Sequence, residues 1–136
     1  MCMIDTCDDY ARVFTKVERT ARVEHKCGEC GRKIEPGERY EAFRALSATD
    51  DYWWSTKTCE HCLAAREWLT EICGGFVYHG VHEDLENHWE EDVLYRTMAL
   101  GRVLVGIKYR WRWKGRLMQV PSFQGSMMTR EGPVGV

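Results

Sequence analysis

A long apolar stretch is the first thing this sequence lacks. Val103–Ile107, an uncharged run in the C-terminal half, is far too short to cross a hydrocarbon layer about 30 Å thick. A secretion signal is missing too, because Asp5, Asp8 and Asp9 interrupt the N-terminus before any apolar segment forms. Both absences lead us to expect a soluble chain with no membrane partner. The seven cysteines are an odd number with four in metal-ligand spacing, which implies a reducing cytoplasm rather than a disulfide framework. Strong net charge is also lacking: a formal −2 excludes a uniformly basic nucleic-acid coat, although it conceals a local imbalance. With 136 residues and 44% hydrophobic composition, the chain is one domain-sized unit able to bury a modest core.

What is present is a pair of cysteine knuckles, Cys27-Gly28-Glu29-Cys30 and Cys59-Glu60-His61-Cys62. Each puts two thiols on one tight turn, and together they supply the four soft ligands that a tetrahedral Zn²⁺ needs at about 2.3 Å. The metal ligands expected are therefore Cys27, Cys30, Cys59 and Cys62, holding one structural zinc ion. The halves are separated by 28 residues, so the intervening segment must carry its own structure. It leaves the first knuckle through Gly31-Arg32-Lys33-Ile34, turns at Pro36-Gly37 and enters Tyr40-Glu41-Ala42-Phe43, which alternates with period 2 as a strand does. After Cys62 the chain is rich in helix formers, with Cys62, Ala65, Leu69, Ile72 and Cys73 on one face and Gly74-Gly75 as the stop.

A knuckle, a hairpin and a helix whose first turn carries the second ligand pair is the arrangement of treble-clef zinc fingers, which residues 27–73 resemble. The helix N-terminus favours thiolates at Cys59 and Cys62. The competing reading is two reduced Cys-x-x-Cys pairs or redox dithiols, but neither pair has the strand-then-helix context of a redox motif. His25 and His61 lie close enough to substitute for a cysteine. Four thiolates already complete the shell, so both histidines are read as groups beside the site.

The remaining segments extend this core. Tyr10, Val13, Phe14 and Val17 fall at i, i+3, i+4 and i+7, which predicts an amphipathic helix, with Arg12–Val17 as an extended alternative. Thr20–Lys26 is expected to enter the knuckle as a strand. Asp50-Asp51 followed by Tyr52, Trp53 and Trp54 suggests a second hairpin with one tryptophan packed over the finger, although ligand stacking by these rings is conceivable. Val81 to Leu100 predicts one helix, with a break near Glu91, whose first half is acidic through Glu83, Asp84, Glu86, Glu90, Glu91 and Asp92. The charge then reverses: Lys108-Tyr109-Arg110-Trp111-Arg112-Trp113-Lys114 alternates cation with aromatic, predicting a strand with its rings on one face. Lys114-Gly115-Arg116 can turn it into Leu117–Val120. The expected organisation is an N-terminal segment 1–24 packing on the finger, a C4 finger over 25–75, a helix and basic strand over 76–120 completing the same domain, and a flexible tail over 121–136.

Apart from zinc, only the cationic stretch suggests a partner. Lys108, Arg110, Arg112, Lys114 and Arg116, helped by Arg32 and Lys33, can neutralise phosphates while aromatic faces stack on bases, which fits flexible or single-stranded nucleic acid. The plain alternative is an amphipathic strand with buried rings and solvated cations. An element shaped for a duplex groove is lacking. Catalysis is not expected either: no histidine pairs with His88 as HNH-type nucleases require, and a four-thiolate zinc has no open position to activate water. A second metal site drawn from Cys2, Cys7, Cys73, His79, His82 or His88 has no tight knuckle behind it. Default roles for those cysteines are buried or surface thiols.

The run Ala21–Tyr40 followed by Lys57–Cys62, and the segment Trp111–Pro121, resemble small zinc-finger proteins encoded by bacteriophages and prophages. The resemblance implies a bacterial or phage setting, hence a bacterial host cytoplasm, and little about activity; short phage proteins of this kind often act stoichiometrically by binding nucleic acid or a host protein. No small-molecule substrate is expected. Two functions are therefore carried forward. The first is a nucleic-acid-associated regulator acting through the basic stretch; the second is a phage inhibitor or modulator that binds a host protein through the acidic helix, Glu83 to Asp92.

Overall fold

Burial alternates along Arg39–Ser47, with Glu41, Phe43, Ala45 and Ser47 turned inward, and this segment is the middle strand of the sheet. The structure, a computed structural model, describes residues 2–6, 11–47 and 51–122. The strands are β1 (Ala11–Thr20), β2 (His25–Lys26), β3 (Lys33–Ile34), β4 (Arg39–Ser47) and β5 (Trp53–Cys59). They are followed by α1 (Glu60–Cys73), α2 (Val81–Glu91), α3 (Met98–Lys108), β6 (Arg112–Trp113) and β7 (Arg116–Leu117). The domain is a small α+β unit: an antiparallel sheet β1-β4-β5, two short hairpins β2-β3 and β6-β7, and three α-helices.

Three expectations are corrected. The helix expected from Val13, Phe14 and Val17 is the exposed edge strand β1, paired with β4 so that Phe14 faces Ala45 and Lys16 faces Phe43. The β-branched and aromatic residues of Arg12–Val17 suit a pleated edge, and the waiting ladder of β4 outweighs a weak 3.6-residue period. Tyr10 lies outside the described residues. The expected Thr20–Lys26 strand shrinks to the two residues of β2.

The break expected near Glu91 is met, and 81–100 holds two α-helices, α2 and α3. Asp92 ends α2, and its carboxylate accepts from Leu94 N–H at 3.0 Å; the Thr97 hydroxyl then caps α3 by accepting from Leu100 N–H at 3.1 Å. The alternating strand over 108–114 is replaced by the end of α3, a turn, and β6-β7. Arg110 and Trp111 take left-handed φ values of 55° and 59°, which breaks the period-2 alternation of faces. Burial of Trp111 at 2% exposure, with the bonds Trp111 N–H to Gly106 O and Met118 N–H to Trp111 O, both 2.6 Å, offsets that strain.

The predicted stop of α1 is met: Gly74 sits at φ 77° and donates to Thr70 O at 2.9 Å. Its buried face carries Cys62, Ala65 and Leu69 as read from the sequence, together with Trp68; Ile72 is exposed. The core lies where α1, α2 and α3 meet, built from Ala65, Trp68, Leu69, Val81, Leu85, Leu100, Val103, Ile107 and Trp111. On the sheet, Phe43 stacks on Tyr78 at 4.1 Å and touches Trp54 at 5.2 Å, so Trp54 is the tryptophan that packs while Trp53 stays exposed beneath Arg44. No described helix is long and apolar enough to cross a membrane.

Candidate metal centre

The β2-β3 hairpin closes through Cys27 N–H to Arg32 O at 2.9 Å and Gly31 N–H to Cys27 O at 3.0 Å, with Gly31 at φ 78°. That tight turn presents Cys27 and Cys30 to the junction of β5 and α1, where Cys59 ends the strand and Cys62 sits in the first helical turn. A bond from Gly28 N–H to Lys57 O, 2.7 Å, fixes the two halves together, and any Cβ on Gly28 would overlap the Thr56 hydroxyl. The four Sγ atoms lie within 4.8 Å of one another, Cys30 to Cys59 being 3.9 Å, a cluster able to hold a metal ion.

The surroundings suit thiolates. Cys27 Sγ accepts from the N–H groups of Glu29 and Cys59, each at 3.4 Å. Hydrogen bonds among the sulfurs distribute charge unevenly: that from Cys27 foremost holds Cys59 far below its usual range, and that from Cys30 lowers Cys27. Cys30 and Cys62 are pushed up, in each case chiefly by their hydrogen bond to Cys27. A dication binding here competes with protons for the same sulfurs, so metal binding to the cluster is coupled to proton release.

A ring of polar groups encloses the cluster, and sequence reasoning missed most of it. Arg32, expected as a nucleic-acid contact, is buried at 2% exposure. Its guanidinium donates to Glu38 at 2.8 and 3.1 Å, to Lys33 O at 2.7 Å and to His61 Nδ1 at 3.2 Å, and it feels the Cys59 thiolate. His61 Nε2 donates to Met118 O at 2.6 Å, so the imidazole bridges the four-cysteine cluster to the segment after β7. The one signal in the sequence was the position of His61 inside a knuckle. His25 packs against Tyr40, ring centroids 5.0 Å apart, and does not join the cluster. Glu29, between the first two ligands, accepts from His79 N–H at 2.8 Å and Val81 N–H at 3.4 Å, capping the start of α2.

The basic stretch is divided. Trp111 is buried against His61, at 4.9 Å, whereas Tyr109 and Trp113 are 48% and 54% exposed and meet edge to face at 5.7 Å. Lys108, Arg110, Lys114 and Arg116 are exposed, and Arg110 lies over Gly31 of the knuckle. Arg112 is half-buried and pairs with Glu35 at 3.5 Å. Among the described residues no ion pair involves the other four cations.

Of the remaining candidates, Cys2 and Cys73, expected as unpaired thiols, are joined as a disulfide with Cα atoms 5.7 Å apart. The 3-10 turn Met3–Thr6 docks there, Met3 N–H donating to Asp84 at 3.1 Å. His88 faces the same sulfurs, while His79 bonds Thr56 at 2.9 Å and His82 pairs with Glu86 at 2.7 Å. Cys7 and most of the tail expected over 121–136 lie outside the described residues. Compared with known protein families, curated proteins and solved structures, the chain matches none.

Proposed function

We propose that the chain is a zinc-stabilised, nucleic-acid-associated regulatory protein. In this reading Cys27, Cys30, Cys59 and Cys62 hold one structural Zn²⁺ in a treble-clef finger. The choice of zinc rests on the donor set: four cysteine sulfurs within 4.8 Å of one another suit this dication, whose structural sites are closed by four such ligands. The ion ties β2-β3 to β5 and α1, which carry much of the core, and thereby sets the position of the basic hairpin behind them.

One observation carries the nucleic-acid reading. Tyr109 and Trp113 point outward amid Lys108, Arg110, Lys114 and Arg116, with none of these cations engaged by a described acid. Exposed rings can stack on bases, and unpaired cations can take phosphates. The acidic-helix alternative is less well supplied, because Asp84 is turned into the core and Glu86 is engaged by His82.

The test is retention of fluorescent single-stranded oligonucleotides over a salt series. Affinity should fall as salt rises with a logarithmic slope of about −0.7 for each phosphate contacted. Trp113→Ala should weaken binding by about 1–3 kcal/mol, and Arg110→Glu with Lys114→Glu should remove it while zinc content is unchanged. Absence of retention even at low ionic strength ends this reading and turns attention to a protein partner.

A further inference from the structure

The turn holding Cys2 lies against the C-terminal end of α1 and the inner face of α2, and it brings two sulfurs and an imidazole together far from the four-cysteine cluster. His88 Nε2 stands 3.9 Å from Cys2 Sγ and 3.7 Å from Cys73 Sγ, and the three atoms lie within 4.8 Å of one another. We propose that Cys2, Cys73 and His88, with the cysteines reduced, form a second transition-metal site, taking Zn²⁺ through two thiolates and one imidazole nitrogen.

The orientation of His88 is the main support. Its Nδ1 donates to Asp84 O at 2.8 Å and lies 3.2 Å from the Asp84 carboxylate, which leaves Nε2 as the lone-pair nitrogen aimed at the sulfurs. A disulfide offers that lone pair no proton and no cation; a metal ion satisfies it. The ring is held on edge by Trp68 at 5.2 Å and Tyr95 at 5.3 Å, so it cannot turn away without disturbing the core. Asp84 is 1% exposed and is itself fixed by Met3 N–H at 3.1 Å. A backbone carbonyl and a buried carboxylate behind a histidine are the arrangement that fixes the tautomer and orientation of metal-bound imidazoles.

Two thiolates and a neutral imidazole suit Zn²⁺, and three protein donors leave one tetrahedral position for water or an external ligand. Cys2 and Cys73 are half-buried, so the ion is reachable from solvent, unlike one enclosed by Cys27, Cys59 and Cys62. Disulfide and metal site exclude each other. A dithiol reductant delivers two electrons and two protons, the S–S bond breaks to two thiols, and Zn²⁺ displaces both protons as two Zn–S bonds form. Oxidation by a disulfide of the same class reverses the sequence and releases the ion.

Native mass spectrometry of the full chain, reduced and supplied with Zn²⁺ alone, tests this by counting ions. The reduced wild type should carry one more zinc than either Cys2→Ser or His88→Gln. It should also carry one more than wild type oxidised at Cys2 and Cys73, a comparison that needs no substitution. Cobalt loading should show the same difference as a second set of thiolate charge-transfer bands that His88→Gln removes. Equal counts in reduced wild type, oxidised wild type and His88→Gln overturn the proposal. The quantity read is a difference of one ion, so it is independent of whether the four-cysteine cluster is filled.

Discussion

Arg32 and Arg66 are both buried cations, and each is retained by a carboxylate. Arg66 on α1 forms a two-pronged pair with Glu41 on β4 and lies over the Phe76 ring at 4.4 Å, while Tyr78 donates its hydroxyl to the same carboxylate at 2.9 Å. Removing one partner strands the other charge, so Arg66→Met should cost about 3–5 kcal/mol in urea unfolding. The double variant Glu41→Gln with Arg66→Met should recover a large part of that loss; a double variant as unstable as the sum of the singles would refute this coupling. Beside the metal cluster, burial draws the Glu38 carboxyl upward, but the Arg32 hydrogen bonds and the Glu35 N–H outweigh it and leave it below its ordinary value. A depressed carboxyl stabilises the fold above its unfolded pKa, about 4.3, and loses that contribution as pH falls through the lower folded value. The stability gap between wild type and Glu38→Gln should therefore narrow as pH drops below about 4.3.

At the scale of elements, Trp111 ties the end of α3 to the β6-β7 hairpin. The Trp111 ring rests on Gly106, where any Cβ would overlap it. Gly106→Ala should cost about 1–3 kcal/mol by overpacking despite the better helix propensity of alanine, and should redden and broaden Trp111 emission. An unchanged or higher melting temperature would show that the ring is free to shift. The same contact explains why the cation–aromatic alternation misleads. A tryptophan at the helix end finds a glycine-floored slot, and the chain takes two left-handed residues to reach it, which turns Tyr109 and Trp113 outward. Likewise Val13, Phe14 and Val17 satisfy a helical period in sequence, yet β4 offers them a ladder of backbone hydrogen bonds that a helix at the edge would leave unpaired.

For the whole molecule, the four-cysteine cluster is a hub between elements. It joins the knuckle hairpin to β5 and α1, reaches α2 through Glu29, and reaches the C-terminal segment through His61 and Met118 O. Structural zinc in such modules contributes about 10–16 kcal/mol of apparent binding free energy, comparable with the roughly 5–15 kcal/mol stability of an entire domain. Cys30→Ser, or a strong chelator, should therefore unfold the chain, read as lost far-UV circular dichroism together with released zinc. Full retention of helical signal in protein shown to be free of metal would sink the structural role.

The sequence by itself determined which four cysteines come together, α1 with its glycine stop, β4, the acidic start of α2 and the tight turn at Lys114-Gly115. Each is encoded over a few neighbouring residues: knuckle spacing, helix formers ending at glycine, period-2 burial, a turn dipeptide. Only the tertiary structure decided that Arg32 is buried rather than offered to a partner, that β1 is a strand and not a helix, that Trp111 turns inward while Tyr109 and Trp113 face out, and that Cys2, Cys73 and His88 meet. Those outcomes depend on which groups the fold brings together, Arg32 with His61 across 29 residues and Cys2 with His88 across 86, where pairing, packing and charge compensation outweigh local preference.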